Sequence, residues 1–125
     1  MIKRQLKMSI TQCDLKLENS NKLDELLLIN MKNGYKILGY KNDCITQEIQ
    51  RDGFYEFALY TFINLYLDFL KNAICVDVGA NIGCHTLSMA RHAQKVICFE
   101  PNPQVFKILS QTITLNKLQN VLLRN

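Results

Sequence analysis

Two acidic residues bracket a glycine-bearing turn in the second half of this chain. Asp77 stands near the end of an apolar run, and the turn GANIG, residues 79–83, follows it directly. A second apolar run ends in Glu100. Gly79 and Gly83 lack a Cβ atom, and an asparagine lies between them, so the stretch predicts a tight turn that leaves room for a ligand.

The spacing in this turn favours a cationic nucleoside over a dinucleotide. A dinucleotide-binding turn reads G-x-G-x-x-G and places a diphosphate at the start of a helix, whereas here three residues separate Gly79 from Gly83 and Asp77 precedes them. A carboxylate at that position repels a diphosphate but suits an ammonium, such as the methionine end of S-adenosylmethionine. Glu100 is placed to accept two hydrogen bonds from ribose hydroxyls. Because an unsatisfied carboxylate in an apolar strand costs free energy, Asp77 favours ligand binding over a plain strand-to-helix turn.

The elements around the turn predict a parallel α/β sheet. Apolar runs from Ile74 to Val78 and from Val96 to Phe99 are typical of strands buried on both faces, and a third run closes the chain. Helices are predicted from Gly83 to His92 and from Pro103 onward, the second with Asn102 as its N-cap. This order predicts half of a doubly wound sheet, in which ligands bind at the carboxyl ends of the strands.

The residues before the sheet predict a long helix. Apolar side chains from Phe54 to Lys71 occupy most of a helical surface, so this helix should pack between other elements. Because the pattern changes near residue 53, we divide the chain into a leader, residues 1–52, and a partial Rossmann-like domain that binds S-adenosylmethionine, residues 53–125.

The leader is predicted to be small and rich in β structure. Segments Leu26 to Lys32 and Tyr35 to Tyr40 flank Asn33-Gly34, the favoured pair for a two-residue type I′ turn, and predict a β-hairpin. Cys44 to Ile49 is predicted as a further short strand.

Composition excludes several classes of protein. The chain has 125 residues, 48% hydrophobic and 21% charged, with a net charge of +4. Its densest basic group, Lys3, Arg4 and Lys7, is too short for a nucleic-acid-binding arm, so no nucleic-acid partner is expected. Five cysteines without a C-x-x-C pair or a signal peptide predict reduced thiols, no metal site and a cytoplasmic location. The longest apolar stretch, FALYTFINLYL, is too short to span a membrane.

Three motifs together resemble one known family. Residues 76–86 read V-D-V-G-A-N-I-G-C-H-T, residues 99–103 read F-E-P-N-P and residues 52–56 read D-G-F-Y-E. This set resembles the FkbM-type methyltransferases over about residues 45–125. The resemblance implies a class I, S-adenosylmethionine-dependent enzyme that methylates the hydroxyl of a sugar or natural product, with a small molecule or glycan as acceptor. It also implies that Glu100 holds the ribose and that five residues line the methionine moiety, namely Asp77, Gly79, Ala80, Asn81 and Gly83.

The resemblance covers only the first part of such an enzyme. A class I methyltransferase sheet has seven strands, and the first three can be found here. We therefore expect the N-terminal half of the fold, in a truncated fragment that could self-associate through the unpaired edge of its first strand.

No catalytic residue is assigned, because the acceptor side is not visible and methyl transfer depends mainly on positioning. His85 and Tyr55 are interpreted as packing residues. Two alternatives stay open, a fragment of a nicotinamide-nucleotide-binding oxidoreductase and a non-catalytic vestigial or interaction domain.

Overall fold

The structure, a computed structural model, describes residues 25–125. The basic group Lys3, Arg4 and Lys7 lies outside the described residues. Two sheets and four helices follow one another along the described part. In chain order these are β1 (Leu26–Asn30), β2 (Lys36–Tyr40), α1 (Cys44–Asp52), α2 (Phe57–Phe69), β3 (Ile74–Val78), α3 (Cys84–Ala90), β4 (Lys95–Phe99), α4 (Pro103–Leu115) and β5 (Val121–Arg124).

The last three strands form the predicted parallel sheet, with β4 between β3 and β5. The predicted helices α3 and α4 connect them. Asn102 caps α4, since its side chain accepts hydrogen bonds from the backbone N–H groups of Gln104 and Val105, and Pro103 occupies the first turn. The α/β fold class predicted from the sequence is therefore confirmed.

One face of this sheet is covered by helices. The register places Asp77 beside Cys98 and Cys98 beside Leu123, so these three side chains share a face. Cys98 is completely buried in one cluster with Leu87 of α3 and Leu109 of α4. Helices α3 and α4 therefore pack against this face of the sheet, and the core lies between them and the sheet.

The opposite face of the sheet is exposed, which corrects the prediction that β3 is buried on both faces. Ile74, Val76 and Val78 are 63%, 54% and 78% exposed. Within residues 25–125 no element covers them, and β3 pairs only with β4. A continuous apolar run could not distinguish a strand covered on two faces from one covered on a single face.

The predicted hairpin is present, but its turn differs from the prediction. Strands β1 and β2 pair antiparallel as far as Asn30 and Lys36. The N–H of Gly34 donates to the carbonyl of Met31 (3.0 Å), and only Gly34 of the Asn33-Gly34 pair has positive φ, at 88°. The connection is therefore a longer turn with a left-handed glycine, not a two-residue type I′ turn.

Helix α1 replaces the short strand predicted from Cys44 to Ile49. The carboxylate of Asp43 accepts a hydrogen bond from the N–H of Thr46 (2.9 Å), which caps the helix at its start. Gly53 ends it in the left-handed conformation, at φ 83°. These two caps were the overlooked signal, because the apolar residues between them are too few to define a period.

Helix α2 is shorter than predicted and is covered on one side only. Ile63 and Leu67 are buried, and the helix packs against α3. Its other side is apolar but exposed, so the prediction of a helix packed between elements does not hold in the described part of the chain. The exposed side chains include Phe57, Phe62, Leu65, Tyr66 and Phe69. No helix among the described residues is long and apolar enough to cross a membrane.

The backbone of the hairpin is hydrogen-bonded to two side chains at the C-terminal end of α4, those of Thr112 and Asn116. Asn116 accepts from the N–H of Lys36 (2.8 Å) and donates to the Lys36 carbonyl (2.6 Å). Thr112 accepts from the N–H of Leu38 (3.2 Å).

The division between residues 1–52 and 53–125 stays a prediction.

Candidate functional site

The turn after β3 adopts an unusual backbone conformation at three positions. Gly79, Asn81 and Gly83 have φ values of 77°, 51° and 104°. The N–H groups of Gly79 and Ala80 both donate to the carbonyl of Phe99, at 2.8 and 3.0 Å. Because left-handed conformations favour glycine and asparagine, the sequence GANIG suits this path, and the two bonds fix the turn to the end of β4.

The two glycines of the turn serve different purposes. A Cβ atom on Gly83 would lie 2.8 Å from Cδ1 of Leu109, so glycine here permits the close approach of α3 and α4. A Cβ atom on Gly79 would meet no heavy atom within 4 Å. Gly79 therefore borders open space, which is the property expected of a residue beside a ligand.

Glu100 connects the turn to the start of α4. Its Oε2 accepts from the N–H of Asn81 and its Oε1 accepts from the N–H of Asn102, both at 2.9 Å. The residue is only 8% exposed. An ionised carboxylate has about four lone pairs, so two backbone bonds leave capacity for further donors.

Asp77 faces the helices. Its Oδ2 accepts a hydrogen bond of 2.6 Å from Oγ1 of Thr86, in the first turn of α3, and Asp77 is 8% exposed. Thr86 Oγ1 also lies 3.3 Å from Sγ of Cys98. The cost of burying this carboxylate is therefore offset within the protein, by the hydroxyl of Thr86, which was not predicted as a partner from the sequence.

A cleft of about 200 Å³ opens beside the turn. Three of the predicted site residues line it, Gly79, Ala80 and Asn81. Asp77, Gly83 and Glu100 are not among its lining residues. The cleft is smaller than the ~300–1,000 Å³ of a typical small-molecule site, so it has room for only part of a nucleoside ligand. The remaining lining residues are Ile45, Tyr55, Glu56, Cys84 and His85.

Tyr55 and His85, which were interpreted from the sequence as packing residues, line the cleft together with Glu56. Nε2 of His85 lies 2.9 Å from Oε2 of Glu56, and the ring of Tyr55 lies 5.8 Å from the His85 ring. Burial, with smaller contributions from Glu56 and Glu48, raises the pKa of Tyr55 to about 12. The motif D-G-F-Y-E contained the signal, but nothing in the sequence placed it beside the glycine turn.

The cysteines of the described residues give no reactive site. Cys75, Cys84 and Cys98 are free thiols, whereas Cys44 is disulfide-bonded, so the prediction of reduced thiols fails at Cys44. Burial raises the pKa of Cys84 far above its ordinary value and that of Cys98 to about 11, which keeps both thiols protonated and unreactive. Between Glu25 and Asn125, no three His, Cys, Asp or Glu side chains come together as they would around a metal ion.

Comparison with known proteins identifies the class of domain. Residues 65–124, which include the glycine turn and Glu100, match the TRM5/TYW2 methyltransferase domain. Over these residues the chain is similar to part of an S-adenosylmethionine-dependent methyltransferase domain. The broad prediction of such a methyltransferase and of its cofactor is thereby confirmed, whereas the matching family is TRM5/TYW2 and not FkbM.

Two relatives support this assignment. A probable ribosomal RNA small subunit methyltransferase A of Methanosphaera stadtmanae is 43% identical over 54 residues, which are 43% of this chain and 20% of that protein. Methyltransferase sdnD of Sordaria araneosa is 32% identical over 94 residues, 74% of this chain and 33% of the relative. The chain therefore spans a third or less of the length of these two relatives.

Solved structures share the fold. TYW2 of P. horikoshii, in complex with MeSAdo, aligns with a TM-score of 0.58 at 23% identity, over 82% of this chain and 36% of that one. A complex of aTrm5 with tRNALeu aligns with a TM-score of 0.57 at 19% identity, over 82% of this chain and 28% of that one. Both alignments extend beyond the sheet, because 82% of this chain exceeds the residues from β3 onward.

These comparisons correct the expected partners. From the sequence, a small molecule or glycan was expected as the partner, and no nucleic acid. The match to the TRM5/TYW2 domain and the neighbour solved in complex with tRNALeu contradict the expectation that no nucleic acid is involved. The expectation failed because it relied on the short basic group near the N-terminus, whereas nucleic-acid binding can depend on charges that the fold brings together.

Proposed function

We propose that this chain forms the cofactor-binding part of an S-adenosylmethionine-dependent RNA methyltransferase. The observation that carries the proposal is the match of residues 65–124 to the TRM5/TYW2 methyltransferase domain, because it contains both the glycine turn and Glu100. The name of the relative from Methanosphaera stadtmanae also specifies an RNA acceptor. Transfer to the hydroxyl of a sugar or natural product, which the FkbM resemblance implied, has no comparable support. A cytoplasmic location stays a prediction.

In this proposal, the predicted site residues act in two groups. Gly79, Ala80 and Asn81 line the cleft and would lie along the methionine end of the cofactor. Gly83 and Asp77 fix the turn through their contacts with α4 and α3. Glu100 would accept the ribose hydroxyls with the lone pairs that its two backbone bonds leave.

The hairpin end of the molecule supports RNA as the partner. Lys32, Lys36 and Arg91 are exposed around the β1–β2 turn. The guanidinium of Arg91 lies 5.2 Å from the centre of the Tyr35 ring and donates to the carbonyl of Asn33. Positive side chains bind the phosphate groups of RNA, and an aromatic ring beside them can stack on an unpaired base.

Calorimetric titration of the purified chain tests the cofactor. We expect S-adenosylhomocysteine to bind and NADH not to bind, because the turn lacks the G-x-G-x-x-G spacing. Binding of NADH alone would support the oxidoreductase alternative, and binding of neither compound would overturn the proposal.

A charge-reversal pair tests the RNA partner. Lys36→Glu should weaken the binding of total tRNA in a gel-shift assay at low salt and reduce its salt dependence. Lys71→Glu, which changes charge equally at an exposed position after α2, is the matched control. Equal effects of both substitutions, or the absence of any RNA binding at low salt, would refute the part of the proposal that concerns RNA.

A further inference from the structure

The side chains of Glu56 and His85 form a carboxylate–imidazole pair in the cleft. Oε2 of Glu56 and Nε2 of His85 are 2.9 Å apart, and their side chains are 49% and 23% exposed. Both line the same cleft as Gly79 and Asn81. The pair therefore lies within reach of a ligand at the glycine turn.

Glu56 supplies the only carboxylate among the residues that line the cleft. The lining contains no lysine or arginine. Asp77, which the sequence suggested for the ammonium of the cofactor, faces α3 and is bonded to Thr86. An ammonium that lies in the cleft beside Gly79 would therefore meet the carboxylate of Glu56.

The backbone holds Glu56 in this position. The residue has φ 45° and ψ 62°, a left-handed conformation that is rare for glutamate. Its N–H donates to Oε1 of Glu48 at 2.8 Å. Because Glu48 belongs to α1, this bond connects α1 to the turn before α2. It thereby fixes the backbone that carries the Glu56 carboxylate.

We propose that Glu56 and His85 recognise the zwitterionic amino-acid end of S-adenosylmethionine. Glu56 accepts a hydrogen bond from the α-ammonium. When the ligand binds, the α-ammonium replaces His85 as the donor to Glu56, and the imidazole N–H that is released donates to the α-carboxylate of the ligand. This inference rests on the proposed cofactor, and it assigns recognition of the amino-acid end to residues outside the glycine motif.

Two ligands that differ only at that end test the inference. S-adenosylhomocysteine carries the amino-acid end, whereas 5′-methylthioadenosine lacks it. We expect the chain to bind S-adenosylhomocysteine at least about tenfold more tightly, because charge-assisted hydrogen bonds are the strong ones. Glu56→Gln should remove most of this ratio and leave the affinity for 5′-methylthioadenosine unchanged. Glu25→Gln, an exposed carboxylate paired with Lys41 on the hairpin, is the matched control and should keep the ratio.

The role of His85 has a separate test. Decarboxylated S-adenosylmethionine keeps the ammonium and lacks the α-carboxylate. His85→Gln should weaken binding of S-adenosylmethionine but not of the decarboxylated compound.

Each other outcome has a defined meaning. An unchanged ratio in Glu56→Gln, or an equal loss of both ligands, would overturn the assignment of Glu56. A wild-type chain that binds both ligands equally would overturn the inference and leave the proposed function standing. Binding of neither ligand would overturn both.

Discussion

Replacing Glu100 with glutamine tests whether one buried carboxylate holds the glycine turn in place. Its two oxygens accept from the backbone N–H groups of Asn81 and Asn102, each at 2.9 Å. Glutamine has nearly the same shape but only one acceptor oxygen. Its NH₂ group must therefore face one of the two N–H donors at the same short distance.

The expected cost follows from this geometry. A hydrogen bond to a charged group contributes about 1.5–3 kcal/mol, and a buried donor left without an acceptor costs about 1–3 kcal/mol. At 8% exposure, water can replace little of the lost interaction at Glu100. We expect Glu100→Gln to lower the free energy of unfolding by about 2–4 kcal/mol, a large share of a typical stability of about 5–15 kcal/mol.

Urea unfolding followed by circular dichroism measures this change. Glu25→Gln, at an exposed carboxylate with a surface ion pair, is the control and should change stability by less than about 1 kcal/mol. The same variants should be melted with S-adenosylhomocysteine, since loss of the turn should also reduce the rise in melting temperature on binding. If Glu100→Gln were as stable as Glu25→Gln, the bonds to Asn81 and Asn102 would not hold the turn.

Three further predictions follow from single contacts. Thr86→Val removes the hydroxyl that donates to Asp77, so it should cost about 1.5–3 kcal/mol in urea unfolding, and Thr86→Ser should restore most of it; equal costs for both would refute the role of the bond. Gly83→Ala places a Cβ atom 2.8 Å from Leu109 Cδ1 at φ 104°, so it should cost more than about 2 kcal/mol, and a loss below about 1 kcal/mol would contradict the packing of α3 on α4. Burial raises the pKa of Tyr55 to about 12, while an unfolded tyrosine titrates near about 10. The native state then binds more protons between these pH values, so the free energy of unfolding should fall as pH rises through this window, and Tyr55→Phe should make that fall smaller.

The sheet domain was predictable because its signals are local. Each strand of the sheet is a short apolar run, and Asn102 with Pro103 fixes the start of α4 without reference to the rest of the fold. The turn GANIG specified its own backbone, since glycine and asparagine stand at the three positions with positive φ. The fold class and the broad cofactor class could be predicted for that reason.

The region before the sheet was less predictable because caps, not periodicity, define it. Helix α1 has only nine residues, and Asp43 and Gly53 set its ends. The segment from Cys44 to Ile49 was predicted as a strand because its apolar residues are too few to show a helical period. The role of Glu56 also depends on this region, because Glu48 of α1 bonds its backbone N–H.

Asp77 shows why a residue type at the right spacing does not fix a contact. In a parallel strand, side chains alternate between two faces, so a carboxylate near a strand end points either towards the covering helices or away from them. Asp77 shares a face with Cys98, which is fully buried under α3 and α4, and a hydroxyl from α3 satisfies its oxygen. The spacing D-x-G-A-N-I-G is therefore compatible with a carboxylate that supports the turn through Thr86 as well as with one that touches the ligand. Only the register of β3 on β4 separates the two readings, and it leaves Glu56 as the carboxylate that borders the cleft.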